Sequence, residues 1–328
     1  MRGPRTATLL AAAATLSLGL AACGGSSSSG TAATASNGQN EMSKVSVGVI
    51  PIVDVAPLYL GIKKGFFSKH GLEVTPVPAA GGAAVVPAVI AEQEQFGFSN
   101  VVSLLVAREK GLAVESVAAG VSSTGNAGRD FNGVMVNGNS SLHSAKDLDG
   151  KTVAVNTLGN FQDATTRAAV EKAGGDPSTV KFVEVPFPDM PAALKSGKVD
   201  AVWVPEPFRS AILGSGGRVL LNTCTTTFPQ LQVAQYFTST QFAQQNPNTV
   251  KSFVAGIDES LQYANAHPEE VRAVMPTYTK ITPTLAGQIV LPAWPTTLNK
   301  QSTVALGDIA QKFAVLSKSP DVTGLLGS

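Results

Sequence analysis

From residue 45 onward the chain alternates short apolar runs with amphipathic stretches. Residues 45–50 (VSVGVI) are mostly β-branched and apolar, the composition of a buried strand. A polar junction with Asp54 and Pro57 follows, then a helical stretch with Leu58, Ile62 and Phe66 on one face and stops at Gly65 and Gly71. A strand over 72–77, a helix over 85–92 and a strand over 96–98 complete the unit. The same order recurs. It runs through a strand (152–155), a polar junction (156–163), a helix stopped at Gly174-Gly175, a strand (180–185), a short helix on Ala192, Ala193 and Leu194, and a strand (199–204). Val49 to Phe96 and Val155 to Val202 are each 47 positions apart. Two such units predict an α/β fold of two similar lobes, each a sheet of parallel strands flanked by helices, with right-handed crossovers.

In open α/β sheets a ligand binds beyond the carboxyl ends of the strands, where helix N-termini present free N–H groups. The junctions at those ends are 54–57, Ser99-Asn100, 156–163 and 205–207. Pro57 suits a first helical turn, and Asn100 and an oxygen-bearing residue of 156–163 suit N-caps. Capping accounts for each polar residue alone; four polar junctions converging from two lobes describe a binding cleft. Glu206 ends the apolar strand 199–204 between Pro205 and Pro207. Two prolines remove two backbone donors and hold the loop extended, which predicts a carboxylate free to face a ligand. The alternative is an ion pair with Arg129 or Arg209 across the lobe interface.

The first 22 residues have the form of an export leader: Arg2 and Arg5, then a 16-residue uncharged apolar run (7–22), too short to span a bilayer. It ends in Leu20-Ala21-Ala22-Cys23, the order of a bacterial lipobox, which predicts lipidation of Cys23 and a protein anchored on the outer face of the cytoplasmic membrane. Residues 23–44 are rich in Gly, Ser, Thr and Ala and predict a flexible tether reaching roughly 25 Å. With Cys23 acylated, Cys224 has no disulfide partner, so stability must come from the core.

The whole chain carries 24 basic and 23 acidic residues, and loss of Arg2 and Arg5 leaves 22 against 23. That balance, with no basic cluster, argues against nucleic acid or an anionic membrane face as partner. Three His and two Cys offer no metal site, and neither a P-loop, a G-x-G-x-x-G nor a G-x-S-x-G is present. No cofactor is expected. Lys63, Lys64 and Lys69 fit a solvated face, Phe66-Phe67 fits the core, and Trp294 between Pro292 and Pro295 fits packing of the tail.

Three segments carry a family resemblance: APLYLGIKKGFFSKHGLEV (56–74), SLHSAKDLDGKTVAVN (141–156) and AALKSGKVDAVWVPEPF (192–208). With them the chain resembles the nitrate/sulfonate/taurine class of ABC-importer substrate-binding proteins, which includes binders of thiamine-pyrimidine precursors. The resemblance implies a periplasmic-binding-protein type II fold, with lobe 1 formed by 45–132 and 233–328 and lobe 2 by 133–232. GVMV (133–136) and QVAQYF (232–237) would be the crossing strands that act as a hinge. It implies ligand contacts at Asp54, Val55 and Ala56; at Ser99 and Asn100; at Thr124, Gly125 and Asn126; at Thr157, Leu158, Gly159 and Asn160; and at Glu206. The implied function is delivery of a small organic solute by a monomeric binding lipoprotein to an ABC permease and its ATPase, without catalysis. A ligand-sensing lipoprotein is the alternative. An enzyme on the same fold is the further alternative: one related class carries a Cys-rich motif that this chain lacks, and a dehydratase-type relative would be cytoplasmic, against the lipobox.

Overall fold

The computed structural model describes residues 39–327; the expected leader (1–22), Cys23 and the tether as far as residue 38 lie outside the described residues. The chain is already held at the end of that tether, earlier than expected. Asn40 Nδ2 donates to the His70 carbonyl at 2.8 Å. The Glu41 carboxylate accepts from the Thr249 N–H at 2.8 Å and the Asn248 N–H at 3.2 Å. It thereby satisfies free donors in the first turn of the helix Pro247–Ala266.

The strands, in chain order, are β1 (Lys44–Val49), β2 (Glu73–Pro78), β3 (Phe96–Asn100), β4 (Val114–Ser122), β5 (Asn132–Val136), β6 (Thr152–Val155), β7 (Lys181–Glu184), β8 (Ala201–Pro205), β9 (Arg218–Leu221) and β10 (Gln232–Ser239). They form two sheets of matching order, β2-β1-β3-β10-β4 and β7-β6-β8-β5-β9. The internal repeat is thus a repeat of topology. β1 lies parallel to β2 and β3, and β6 lies parallel to β7 and β8. Gly48 faces Gly97, 49 positions on, and Ala154 faces Val202, 48 positions on.

GVMV and QVAQYF are strands, but neither is the passage between lobes. Each is the antiparallel member of the sheet it enters: β5 pairs with β8 and β9, and β10 with β3 and β4. The passages are 123–131 and 222–231, tied together where the Ser123 N–H donates to the Leu231 carbonyl at 2.8 Å. In lobe 1, Val45, Val47 and Val49 are buried. On the same sheet Phe96 stacks on Phe253 with ring centres 3.9 Å apart. Each such buried side chain contributes about 1.5–3 kcal/mol relative to exposure. After β10 the tail serves both lobes. The helix Pro247–Ala266 packs on the helix Ala56–Lys64, and the helix Lys300–Lys312 packs on the helix Phe161–Lys172 of the other lobe.

Candidate functional site

The carboxyl ends of β1, β3, β6 and β8 converge on a cavity of about 40 Å³ between the two sheets. Lobe 1 contributes Ile50, Ile52 and Asp54 after β1, Gly82, and Phe98 and Asn100 of β3; β10 adds Val233 and Ala234. Lobe 2 contributes Asn156 after β6, Asn160 to Gln162 at the start of the next helix, Phe187, and Trp203 and Pro205 of β8. That volume holds a few water molecules but no organic solute. A solute therefore enters only when the lobes part.

Two caps meet across the cleft. Asn100 Oδ1 accepts from the Ser103 N–H at 2.9 Å and so starts the helix Val101–Glu109. Asn160 Oδ1 accepts from the Phe161 N–H at 2.7 Å and starts the helix Phe161–Lys172. Asn160 Nδ2 then donates to Ser103 Oγ at 2.8 Å, a buried bond between the lobes. Capping and cleft formation fall on the same residues here, because a helix that starts at a strand's carboxyl end puts its cap in the cleft.

Asp54 lies in the short 3-10 turn Val53–Val55 and is 4% exposed. Its backbone carbonyl accepts from Trp294 Nε1 at 3.1 Å, so the tail tryptophan fixes this turn. Its Oδ1 has no hydrogen-bond partner in the protein. Burial, reinforced by the nearby Asp130 carboxylate, pushes the Asp54 carboxyl up to about 7. Asp163, on the first turn of its helix, accepts from the Gly159 N–H at 2.8 Å, and burial raises it to about 6.

The remaining expected contacts divide. Asn100, Asn160 and Asp54 line the cavity. Val55 and Ala56 are fully buried in the lobe 1 core beside Asp54. Ser99 is buried against Gly82, where an added Cβ would stand 2.4 Å from its Oγ. Thr157, Leu158 and Gly159 form the rim of lobe 2, with Leu158 48% exposed. Thr124, Gly125 and Asn126 do not reach the cavity. They form a solvent-facing turn of the first passage, with the Thr124 N–H donating to Asp130 Oδ1 at 3.0 Å.

Glu206 departs most from expectation. Its carboxylate is fully buried and bound by its own following turn. Oε2 accepts from the Ser210 N–H at 2.9 Å, and Oε1 accepts from Ser210 Oγ at 2.8 Å and Arg209 Nη1 at 3.2 Å. Oε1 also accepts from the Val290 N–H of the tail at 3.4 Å, and the Glu206 carbonyl accepts from the Val53 N–H at 3.1 Å. The residue ties the lobes together instead of facing the cavity. The loop is not extended either: the Glu206–Pro207 peptide is cis, and Pro207 caps the helix Phe208–Gly214. The Arg209 pairing is the alternative weighed above, formed within one loop.

The residues that went unnoticed are aromatic. Phe98, Phe161, Phe187 and Trp203 all line the cavity. Their signal was position, a ring within a few residues of a strand's carboxyl end. Phe161 and Trp203 meet edge to face with centres 5.7 Å apart, and Trp203 Nε1 is turned away to Thr223 Oγ1 at 2.9 Å.

Comparison with known proteins places this geometry. The pattern of the family described as NMT1/THI5 like matches residues 52–271. The chain is 24% identical over 258 residues to a putative aliphatic sulfonates-binding protein of Bacillus subtilis (strain 168), covering 76% of this chain and 72% of that one. It is 30% identical over 145 residues to a formylaminopyrimidine-binding protein of Halalkalibacterium halodurans, covering 44% and 42%. Its fold matches the alkanesulfonate-binding protein SsuA of Xanthomonas axonopodis pv. citri, bound to MOPS, with TM-score 0.74 and 16% identity over 88% of this chain and 99% of that one. The two-sheet architecture is that of the periplasmic binding proteins.

Proposed function

We propose, from the premise that this chain belongs to the NMT1/THI5-like family, that it is the extracytoplasmic solute-binding component of an ABC importer. It takes up a small organic solute between its lobes and hands it to a membrane permease driven by an ATPase. The observation that carries this reading is the cavity itself. It lies at the carboxyl ends of strands from both sheets and is lined from both lobes. Rigid lobes on two tied passages can open and close around such a site, and a solute held by both lobes favours the closed arrangement. Relatives named for an aliphatic sulfonate and for a formylaminopyrimidine support a solute of that size.

Binding without turnover fits the groups at hand. No Cys, His or Lys lines the cavity. Cys224 is buried with its Sγ 3.4 Å from Asn132 Oδ1, and burial pushes its thiol well up, away from the thiolate a nucleophile needs. Anchorage belongs to the same reading: the basic start, apolar run and Leu20-Ala21-Ala22-Cys23 support lipidation of Cys23, with a monomer held at the membrane by its lipid alone. Among the described residues no helix is long and apolar enough to cross a membrane.

A native mass spectrum of the protein purified without refolding tests the function. A small solute retained at one per chain and released unchanged supports it; a chemically altered solute after incubation overturns it. For the anchor, Cys23→Ala is expected to abolish the mature, detergent-partitioning form. If that form persists, Cys23 is not the lipid site.

A further inference from the structure

A second pocket, of about 550 Å³, lies beside the passages between the lobes. Ser122 and Ser123 line it where β4 runs into the first passage, and Gln230 where the second passage ends; Asn265 and residues 293–301 of the tail complete the wall. None of these residues lines the cleft. The volume falls in the range of small-molecule sites, about 300–1,000 Å³.

Much of the wall is fixed in advance. The Asn265 amide clamps the Trp294 backbone, donating to its carbonyl at 2.7 Å and accepting from its N–H at 3.2 Å. The indole N–H is engaged by the Asp54 carbonyl, so the Trp294 ring offers the pocket carbon alone. Gln232 is fully buried; its amide donates to the Thr297 carbonyl and accepts from the Asn299 N–H, both at 3.0 Å.

What the wall leaves open is a set of donors. Lys300 is its one charged side chain and has no acidic partner among the described residues. The N–H groups of Lys300 and Gln301 open the helix Lys300–Lys312 without an acceptor, since Asn299 takes those of Ser302 and Thr303. Ser122 is 6% exposed and pairs with Ala293 through both backbone groups. Its hydroxyl has no partner in the protein yet is not sealed from solvent, which for this residue is the pocket. No Asp or Glu lines the pocket. A cation and free N–H groups at a helix start, with no opposing acid, suit an oxyanion. The Ser122 hydroxyl and the unengaged amides of Gln230 and Gln301 both donate and accept, as a ligand's hydroxyl groups require.

We propose that this pocket is a second small-molecule site, separate from the cleft, for a hydroxylated oxyanion of the sugar-acid or sugar-phosphate kind. Its acid group meets Lys300 and the start of that helix, and its hydroxyls meet Ser122, Gln230 and Gln301.

Isothermal titration of the purified chain with gluconate, glucose 6-phosphate, glucose and inorganic phosphate tests it, in wild type, Lys300→Glu, Lys300→Arg and Ser122→Ala. Lys300 is exposed, so its variants should fold, and melting curves check all three. The expected result is binding of gluconate or glucose 6-phosphate at least tenfold tighter than of glucose or inorganic phosphate; which acid binds tells carboxylate from phosphate. Lys300→Glu should weaken that binding tenfold or more, Lys300→Arg should keep most of it, and Ser122→Ala should weaken it several-fold. Binding of neither acid overturns the proposal, and so does binding that Lys300→Glu leaves unchanged, which places the ligand elsewhere. Inorganic phosphate bound as tightly as the better acid reduces the site to a bare helix end and overturns it too. The solute-binding reading is judged separately, because none of these variants alters a residue of the cleft.

Discussion

At the scale of single residues, two buried acids do opposite work. Asp54 ionises near its usual 3.8 in the unfolded chain but only at about 7 in the fold. Below pH 4 both states hold the proton and no difference arises. Between about pH 4 and 7 the folded state keeps a proton that the unfolded state has released, so stability falls as pH rises through that window. The accumulated loss is on the order of 4 kcal/mol at 1.36 kcal/mol per unit. Asp54→Asn should remove this slope. Urea denaturation of the solute-free protein should show the variant gaining on wild type from pH 5 to pH 8; a constant difference across that range would disprove a buried, elevated Asp54. Glu206 is the counterpart, a carboxylate satisfied by Ser210, Arg209 and Val290. Glu206→Ala leaves Arg209, 8% exposed, without its partner, and should destabilise the fold by about 3 kcal/mol or more. Glu206→Gln keeps an acceptor and should cost less, which urea midpoints will rank. The sequence showed the carboxylate at Glu206 but not its partners. Two flanking prolines look like an extended loop, whereas Pro207 in fact opens a helix whose Ser210 turns back onto Glu206.

At the scale of elements, the apolar periods made the strands and helices legible, and the glycine and asparagine boundaries located their ends. Asn100 was expected as a cap and is one, and Asn160 caps its helix from within the polar junction 156–163. What the periods could not show is the direction of β5 and β10. Both read as apolar strands, and only long-range pairing shows that each runs antiparallel to its neighbours in the sheet of its lobe. The aromatic lining was hidden for a related reason. Phe98 and Trp203 sit in strands where a core role explains them equally well. One junction has a steric signature of closure. Gly81, just before the helix Gly82–Ile90 of lobe 1, has extended backbone, and a Cβ there would stand 2.6 Å from Asn156 Nδ2 of lobe 2. The clash exists only when the lobes are together. Gly81→Ala should leave the melting temperature of the solute-free protein nearly unchanged yet weaken solute binding several-fold, as the Asn156 amide swings aside or the lobes stay apart. Equal affinity in wild type and variant would show that this approach does not limit closure.

At the scale of the whole molecule, closure rests on polar ties between two lobes whose buried apolar residues form one cluster. Ser103 meets Asn160, Val53 and Val290 meet Glu206, and Lys312 meets Glu171 at 2.5 Å, where the tail helix crosses to lobe 2. The last pair is about half exposed on both sides, and neither residue lines the cavity. It joins the tail helix to lobe 2 and so bears on the open–closed balance. A surface pair of this kind is worth about 0.2–1 kcal/mol, enough to change the closed population by up to about fivefold. Lys312→Glu should therefore weaken solute binding by about two- to fivefold, and Glu171→Lys in the same chain should restore it. High salt supplies the control, since screening at 1 M reduces the Debye length to about 3 Å and should erase both effects. Were the affinity indifferent to Lys312→Glu at low salt, the tail would not be a partner in closure. The lobes would then be held by the buried ties around Ser103 and Glu206.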